Sequence, residues 1–415
     1  MATQFLSALA DNALLIVAIA HLQVLGAPLW WAPLLKFSFT LSYVFLAPFI
    51  GALADAVCKR RLMAWMNGLK LLGALALLAG VHPMLAFALV GLGASAYAPA
   101  KYGLLTESVP PAALVAANGW VESAVVLSVL LGTVLGGLLV APLWLQSPAV
   151  SWAGGLWPLS AGASTPALNV SLSIVIALYS LSALCNLRIV PSGVSYPVRG
   201  RGPMQMLADF RHANALLWRD RSGGLSLTVT TVFWGLGAML QFAVLLWAVQ
   251  ALGLGLDQAA YLQGVVAMGV VGGAVLVASR LRLRHATAVL PLGQLMGTFM
   301  VSALFISDWR AAVPVLLAVG ALGGMMVVPM NALLQHRGHR LLTAGQSIAV
   351  QGFNENLSIL VLLGLYAGLI ALELPAQRVM ALAGLGLILF IGSTLCRRRR
   401  RAGLKALSGH LLRRD

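Results

Sequence analysis

Twelve stretches of this chain are apolar for long enough to cross a lipid bilayer: roughly 3–25, 36–57, 62–81, 84–105, 114–140, 168–190, 223–251, 258–278, 286–306, 311–335, 342–370 and 379–396. A helix rises about 1.5 Å per residue, so about 20 residues cover the ~30 Å hydrocarbon layer. Lipid offers no hydrogen bonds to a backbone, which leaves helices or closed barrels as the spanning structures. The runs have helical length and lack the ten-residue alternation of an outer-membrane barrel. The expected fold is therefore an all-α integral membrane protein with twelve transmembrane helices. Of the 415 residues, 60% are hydrophobic and 9% charged, far from the ~25% charged of soluble domains.

Charge placement tests the count. Lys59, Arg60 and Arg61, then Arg199, Arg201, Arg211, Arg219 and Arg221, then Arg280, Arg282 and Arg284, then Arg337 and Arg340, and finally Arg397 to Arg401, Lys405, Arg413 and Arg414 fall in segments on one side. Loops on the other side hold Arg310 and Arg378. By the positive-inside rule both termini are expected in the cytoplasm, and an odd number of spans would scramble the alternation. The net charge of +16 thus follows topology and anionic lipid rather than nucleic acid. The first run has no basic leader and is interrupted by Asp11, so it reads as a span and not a cleavable signal. Cys58, Cys185 and Cys396 have neither disulfide arithmetic nor metal spacing.

A basic, Pro/Gly-containing connection at 191–222 divides the chain into two sets of six spans, 1–190 and 223–396, with a basic tail at 397–415. Residues 141–167, with Trp144 and Trp152, read as a long external loop. The halves look like copies. Gly119-Trp120-Val121-Glu122-Ser123 in span five matches Gly352-Phe353-Asn354-Glu355-Asn356 in span eleven, and each precedes a Leu-Leu-Gly. Pro99 before Leu104-Leu105 matches Pro329 before Leu333-Leu334. A parallel repeat of two six-helix bundles resembles the layout of the major facilitator superfamily. That superfamily's motif between spans two and three is matched by Gly51, Asp55, Lys59 and Arg60, with Ala56 and Cys58 departing from it. Its implied use is a conformational latch: Asp55 at a helix end pairs with basic groups and neighbouring helix termini in one state of alternating access. A solvated turn at the membrane edge is the plainer reading. The second-half counterpart, Gly273 to Arg282, has Val277 in place of the acid.

Several polar clusters at membrane depth go further. QFLSALADNALL (4–15), MNGLKLLGA (66–74), AYAPAKYGLL (96–105), AANGWVES (116–123), VPMNALLQHRG (328–338) and IAVQGFNEN (348–356) resemble the bacterial lysophospholipid transporter family, LplT, in order and over nearly the whole chain. The resemblance implies a carrier moving lysophospholipids, chiefly lysophosphatidylethanolamine, across the inner membrane to the cytoplasmic face. An acyltransferase restores the missing chain there. It also implies a monomer without cofactor or metal that is not itself an enzyme. Two departures accompany it. Relatives carry a further segment before the first span. An arginine expected in span seven is Gln241 here, within FWGLGAMLQF, so a pair between that arginine and Asp11 is absent.

An acid at mid-membrane costs ~2.5–3.5 kcal/mol on insertion scales, so Asp11, with Asn12 beside it, is expected to face an internal wet cavity. A lysophospholipid needs a cation for its phosphate, a carboxylate for any ammonium and an apolar opening for its chain. Asp11, Glu122 and Glu355 are the candidate acids, and Lys70 and Lys101 the bases. Tyr102, Gln241, Asn331 and Gln351 complete the candidate substrate contacts, and Asn67, Asn118, Asn354 and Asn356 add hydrogen-bonding groups. Ammonium contact is assigned to Asp11 and phosphate contact to Lys101. Each has a structural alternative: Asp11 and Lys70 as mutual partners, Glu122 and Glu355 in packing networks, Lys101 snorkelling to the interface. Gly132–Gly136, Gly320–Gly324 and Gly364–Gly368 have small-xxx-small spacing. The chain contains no P-loop, and His410 with Asp415 matches an acyltransferase spacing only by chance. A facilitator exporting hydrophobic compounds is the alternative function.

Overall fold

The computed structural model describes residues 1–27, 31–155, 165–190, 202–254 and 256–411, with side chains over the same residues except 31–33, 155, 256–258, 260 and 398–411. Arg199, Arg201, Arg413, Arg414 and Asp415 lie outside the described residues, as do the side chains of Arg398 to Arg401, Lys405 and His410.

Fifteen α-helices are described: α1 (Ala2–Val24), α2 (Trp31–Ala56), α3 (Lys59–Leu78), α4 (Pro83–Ser108), α5 (Leu114–Val140), α6 (Pro142–Leu145), α7 (Pro148–Gly155), α8 (Pro166–Asn186), α9 (Pro203–Arg219), α10 (Arg221–Ala251), α11 (Leu256–Arg280), α12 (Leu290–Ser302), α13 (Trp309–Leu341), α14 (Ala344–Ala371) and α15 (Ala376–Leu411). Twelve are long and apolar enough to cross a membrane, α12 with its flanking 3-10 turns. Twelve crossings put both termini on the same side as the 2–3, 4–5, 6–7, 8–9 and 10–11 connections, where the basic residues gather; this is the basic end.

Local chemistry sets the boundaries. Asp220 caps α10, accepting from the backbone N–H of Ser222 (3.1 Å) and Gly223 (2.6 Å). Asp308 and Thr343 cap α13 and α14 in the same way. Arg337 also pairs with Asp220 at 2.7 Å, and its guanidinium holds that carboxyl below the usual carboxylate range. Pro83 and Pro166 open α4 and α8, where a missing N–H is harmless. Gly26 and Gly253 close the first helices of the two halves with φ of +71° and +64°, a conformation that favours glycine.

In the first half α1 packs on α5 and α8, α3 on α4 and α8, and α2 on α4. In the second half α10 packs on α13 and α14, α11 on α13, and α12 on α15. The halves meet along α2–α14, α4–α14, α5–α11 and α5–α13. Two of the three glycine spacings lie at such contacts. A Cβ on Gly132 would meet the Leu9 carbonyl oxygen at 2.5 Å, and one on Gly320 the Val266 carbonyl oxygen at 2.0 Å. The third does not: Gly364 and Gly368 have nothing within 4 Å among the described residues.

The connections hold more helix than their composition suggests. The 191–222 segment contains α9, and 141–167 contains α6 and α7. In α9 the apolar side chains recur at helical spacing: Ala213 and Leu217 are buried, and Phe210 stacks edge-on to Phe353 at 5.3 Å. This helix lies across the α2–α14 seam. α15 runs on into the basic tail as far as Leu411 instead of ending near 396, because Arg, Ala, Leu and Lys are all good helix formers.

These contacts separate two glycine substitutions. Gly320→Ala should destabilise the protein by about 1–3 kcal/mol, since a backbone oxygen cannot swing away, whereas Gly364→Ala should be neutral. Thermal unfolding of the purified protein in detergent reads both. An unchanged Gly320→Ala would refute the close packing of α11 on α13.

Candidate functional site

Two polar clusters occupy the membrane interior, and a third set of contacts closes the basic end. The first cluster lies inside the first half. α1, α3 and α8 bring Asp11, Lys70 and Tyr179 together: Lys70 Nζ lies 2.7 Å from Asp11 Oδ2, and Tyr179 Oη donates to Asp11 Oδ1 at 2.8 Å. Lys70 also donates to Ser7 Oγ at 2.9 Å, Ser7 to Asn67 Oδ1 at 3.2 Å, and Asn67 to Ser182 Oγ at 3.3 Å. Asp11 keeps 15% of its side chain exposed and Lys70 only 3%. Asp11 thus has both oxygens engaged, and the structural pairing with lysine is realised. Asn12 turns its amide back to the Ala8 carbonyl oxygen at 2.8 Å, and its Cβ faces Gly132 of α5.

Lys36, near the start of α2, belongs to the same region. Its ammonium lies 5.4 Å from the Phe39 ring and its side chain is exposed.

The second cluster joins the halves at mid-depth. Glu122 of α5 accepts on Oε1 from Tyr102 Oη of α4 at 3.1 Å and from Asn331 Nδ2 of α13 at 2.9 Å. Asn331 Oδ1 accepts from Gln351 Nε2 of α14 at 3.0 Å, and Gln351 Nε2 also donates to Glu355 Oε1 at 2.8 Å. Lys101 Nζ sits 3.9 Å from the centre of the ring of Tyr102, the residue that donates to Glu122. The repeat-related pair Glu122 and Glu355 therefore converge on one network, with Lys101 beside it against the Tyr102 ring.

Contacts at the basic end are tighter. Asn118 and Gln335 exchange amide hydrogen bonds between α5 and α13 at 2.9 and 2.8 Å, both residues being buried. Asp55 accepts from the Thr343 hydroxyl and, at 2.9 Å, from the Gly345 N–H at the first turn of α14. A Cβ on Gly51 would lie 3.1 Å from that of Ala349, so glycine lets α2 approach α14. Of the two latch cations, Lys59 pairs at 2.6 Å with Glu107 of α4, and Arg60 is exposed. The partner found for Asp55 is thus a helix terminus across the seam.

Gln241 stands apart. Its backbone carbonyl accepts from the Gln263 amide, and it borders an apolar cleft of about 80 Å³ inside the second half, with Phe233, Val244, Trp247 and Met300 among the lining residues.

Sequence reading passed over Lys36, Glu107, Tyr179, Gln335 and Thr343. Lys36 and Glu107 sit at the ends of apolar runs and look like boundaries. Tyr179 carries no charge to betray it. Gln335 had a usable signal, one helical turn beyond Asn331.

Stranding a buried charge by removing its partner costs about 3–5 kcal/mol. Lys70→Met should therefore lower the amount of folded protein in the membrane, and Asp11→Asn combined with Lys70→Met should recover much of it. Fluorescence-detected size exclusion of the three variants measures this. No recovery in the double variant would show that the pair has no mutual dependence.

The comparisons agree with this architecture. Residues 1–362 match the family model described as Major Facilitator Superfamily. Lysophospholipid transporter LplT of Yersinia pestis (strain Pestoides F) is 38% identical over 381 residues, covering 91% of this chain and 88% of that protein. LplT of Yersinia pseudotuberculosis serotype O:3 (strain YPIII) matches with the same identity and coverage. Among solved structures, the human organic anion transporter MFSD10 (TETRAN) superposes with a TM-score of 0.68 at 14% identity, covering 94% of this chain and 97% of that one. The Major Facilitator Superfamily transporter FucP in the outward conformation gives 0.65 at 15% identity, covering 94% and 98%. These two show the fold alone. With its family model, its relatives and its twelve spans in agreement, the chain belongs to the Major Facilitator Superfamily and, within it, to the lysophospholipid transporter LplT family.

Proposed function

We propose that this protein carries lysophospholipids, chiefly lysophosphatidylethanolamine, across the bacterial inner membrane by alternating access between two six-helix halves. The halves would be 1–190 and 223–396, with 191–222 as the cytoplasmic connection and 397–415 as a basic tail. The observation that carries the reading is the 38% identity to LplT over 91% of the chain. A second support is chemical. Lys101, Glu122 and Glu355 gather at mid-depth between the halves, a setting that offers both charge signs to a head group.

The basic end is assigned to the cytoplasm by the positive-inside rule. The contacts of Asp55, Asn118 and Gln335 across the halves would then close the cytoplasmic end. The lysolipid head group would enter from the periplasmic side and leave toward a cytoplasmic acyltransferase. The protein would work as a monomer among membrane lipids, its basic tail lying against anionic head groups.

Uptake of labelled lysophosphatidylethanolamine by spheroplasts lacking their own carrier tests the function. Expression of this chain should restore uptake. Failure to do so, together with efflux of hydrophobic compounds in the same strain, would favour the exporter reading.

The latch has its own test. Asp55→Asn weakens the charge that holds the first turn of α14, so the basic end should open more readily and the balance between the two states should shift. Uptake at equal protein in the membrane should fall. A wild-type rate in that variant would remove the latch role from Asp55.

A further inference from the structure

The helix in the connection between the halves, α9, is held from one side only. Its Ala213 and Leu217 are buried with Leu227, Leu334 and Val350 of the second half, and its Trp218 indole donates to Asn354 of α14 at 3.2 Å. Nearer its start, Met206 and Phe210 border a small pocket with Pro48 and Gly51 of α2 and Gln346 of α14. The other face has a different make-up. Met204, Leu207, Arg211 and Trp218 follow one another at spacings of three, four and seven, which places them on one strip of the helix, away from Ala213 and Leu217. Met204 is 79% exposed, Trp218 40% and Leu207 39%, and Arg211 is exposed among them. His212 and Arg219, also exposed, lie along one flank of the strip. None of the ion pairs among the described residues uses Arg211 or Arg219.

Single exposed apolar residues are ordinary on a water-facing surface, but this strip continues a lipid-facing one. Phe45, Phe49 and Leu53 of the spanning helix α2 are exposed at a spacing of four, and they run down past Gly51 and Ala52, where α9 packs. That places α9 at the level where hydrocarbon gives way to head groups. A tryptophan with its ring outside and its N–H bonded inside suits this level. Arginine stems can lie along apolar surface while the guanidiniums reach phosphate oxygens. Two guanidiniums without carboxylate partners among the described residues favour a head group of net negative charge over a zwitterionic one. Nucleic acid or an acidic protein would answer the charges but not the Met, Leu and Trp side chains interleaved with them.

We propose that the outer face of α9 is a docking surface for anionic phospholipids of the leaflet at the basic end, with Arg211 and Arg219 on the phosphates and Met204, Leu207 and Trp218 against the first carbons of the acyl chains. This goes beyond the carrier reading and does not depend on it. Because α9 touches both α2 and α14, lipid held on it favours the state in which those helices meet, and the leaflet's charge would bias the balance of states.

The test uses the full chain in nanodiscs of phosphatidylcholine containing a fixed fraction of brominated lipid, either phosphatidylglycerol or phosphatidylcholine. A fluorophore on Ala208→Cys, beside the strip, reports which brominated lipid lies next to α9, with Cys58, Cys185 and Cys396 replaced by serine. Phosphatidylglycerol should be enriched at this position by about fivefold or more, the scale of one arginine at an anionic surface. Arg211→Gln with Arg219→Gln should abolish the enrichment, and Arg211→Lys with Arg219→Lys should retain it. Glutamine in place of Arg397 to Arg401 should leave it intact. Equal quenching by the two lipids in the wild type overturns the proposal, because α9 would then lie on the bilayer without reading charge. Quenching by neither places the strip in water, on a second copy or on another protein, and also overturns it. Enrichment that survives the glutamine pair on α9 but disappears with the tail arginines belongs to the tail and overturns it as well.

Discussion

An unpaired charge at membrane depth is the expense around which this structure is arranged. Asp11, Lys70, Lys59 and Glu107 are all buried or nearly so, and they resolve into two ion pairs within the first half. Each pair joins neighbouring helices, α1 to α3 and α3 to α4, so the pairing that makes the charges tolerable also fixes how those helices meet. The surrounding chain of Ser7, Asn67 and Ser182 uses up the remaining polar atoms and ties in α8. The second half is built differently. Its core is an apolar cluster around Trp247, Met296, Met300 and Leu316, and Glu355 is its acid at mid-depth.

The seam between the halves follows another rule. A carrier that alternates needs contacts that hold one state and can be given up for the other. The bonds across this seam are of that kind. Asp55 meets a backbone N–H and a hydroxyl at a helix terminus, and Asn118 meets Gln335 amide to amide. Neither strands a permanently charged partner on the opposite half when it parts. The ion pairs named above stay within one half and need not break. α9 adds a cover over the seam: its Trp218 indole donates to Asn354 of α14 at 3.2 Å, and Asn354 donates in turn to Asn214 of α9.

Much of this was legible in the sequence, because hydropathy and charge placement are written locally. The twelve helices, their boundaries to within several residues, and the kinship of Glu122 with Glu355 all come from run length and internal repetition. Pairing was less legible. Whether Asp11 meets Lys70, Lys101 or a substrate depends on which helices are neighbours, and spacing along one helix says nothing about that. α9 escaped because a short amphipathic helix flanked by Pro, Gly and Arg has the composition of a loop. Lys36 and Glu107 escaped because a charge at the edge of an apolar run looks like the end of the run. The glycine spacing at Gly364–Gly368 shows the converse error: a packing motif was present, and none of the described residues packs within 4 Å there.

Gln241 makes the same argument from the opposite side. The resemblance to the family places an arginine at this position, and a lost arginine suggests a lost partner for Asp11. Yet Asp11 is satisfied inside its own half by Lys70 and Tyr179, while Gln241 faces an apolar cleft and binds Gln263 through its backbone. A neutral side chain there leaves no carboxylate stranded. An arginine in that cleft would itself need a counter-charge, and the cleft is lined largely by Phe, Val, Met and Leu side chains. The substitution therefore agrees with its surroundings.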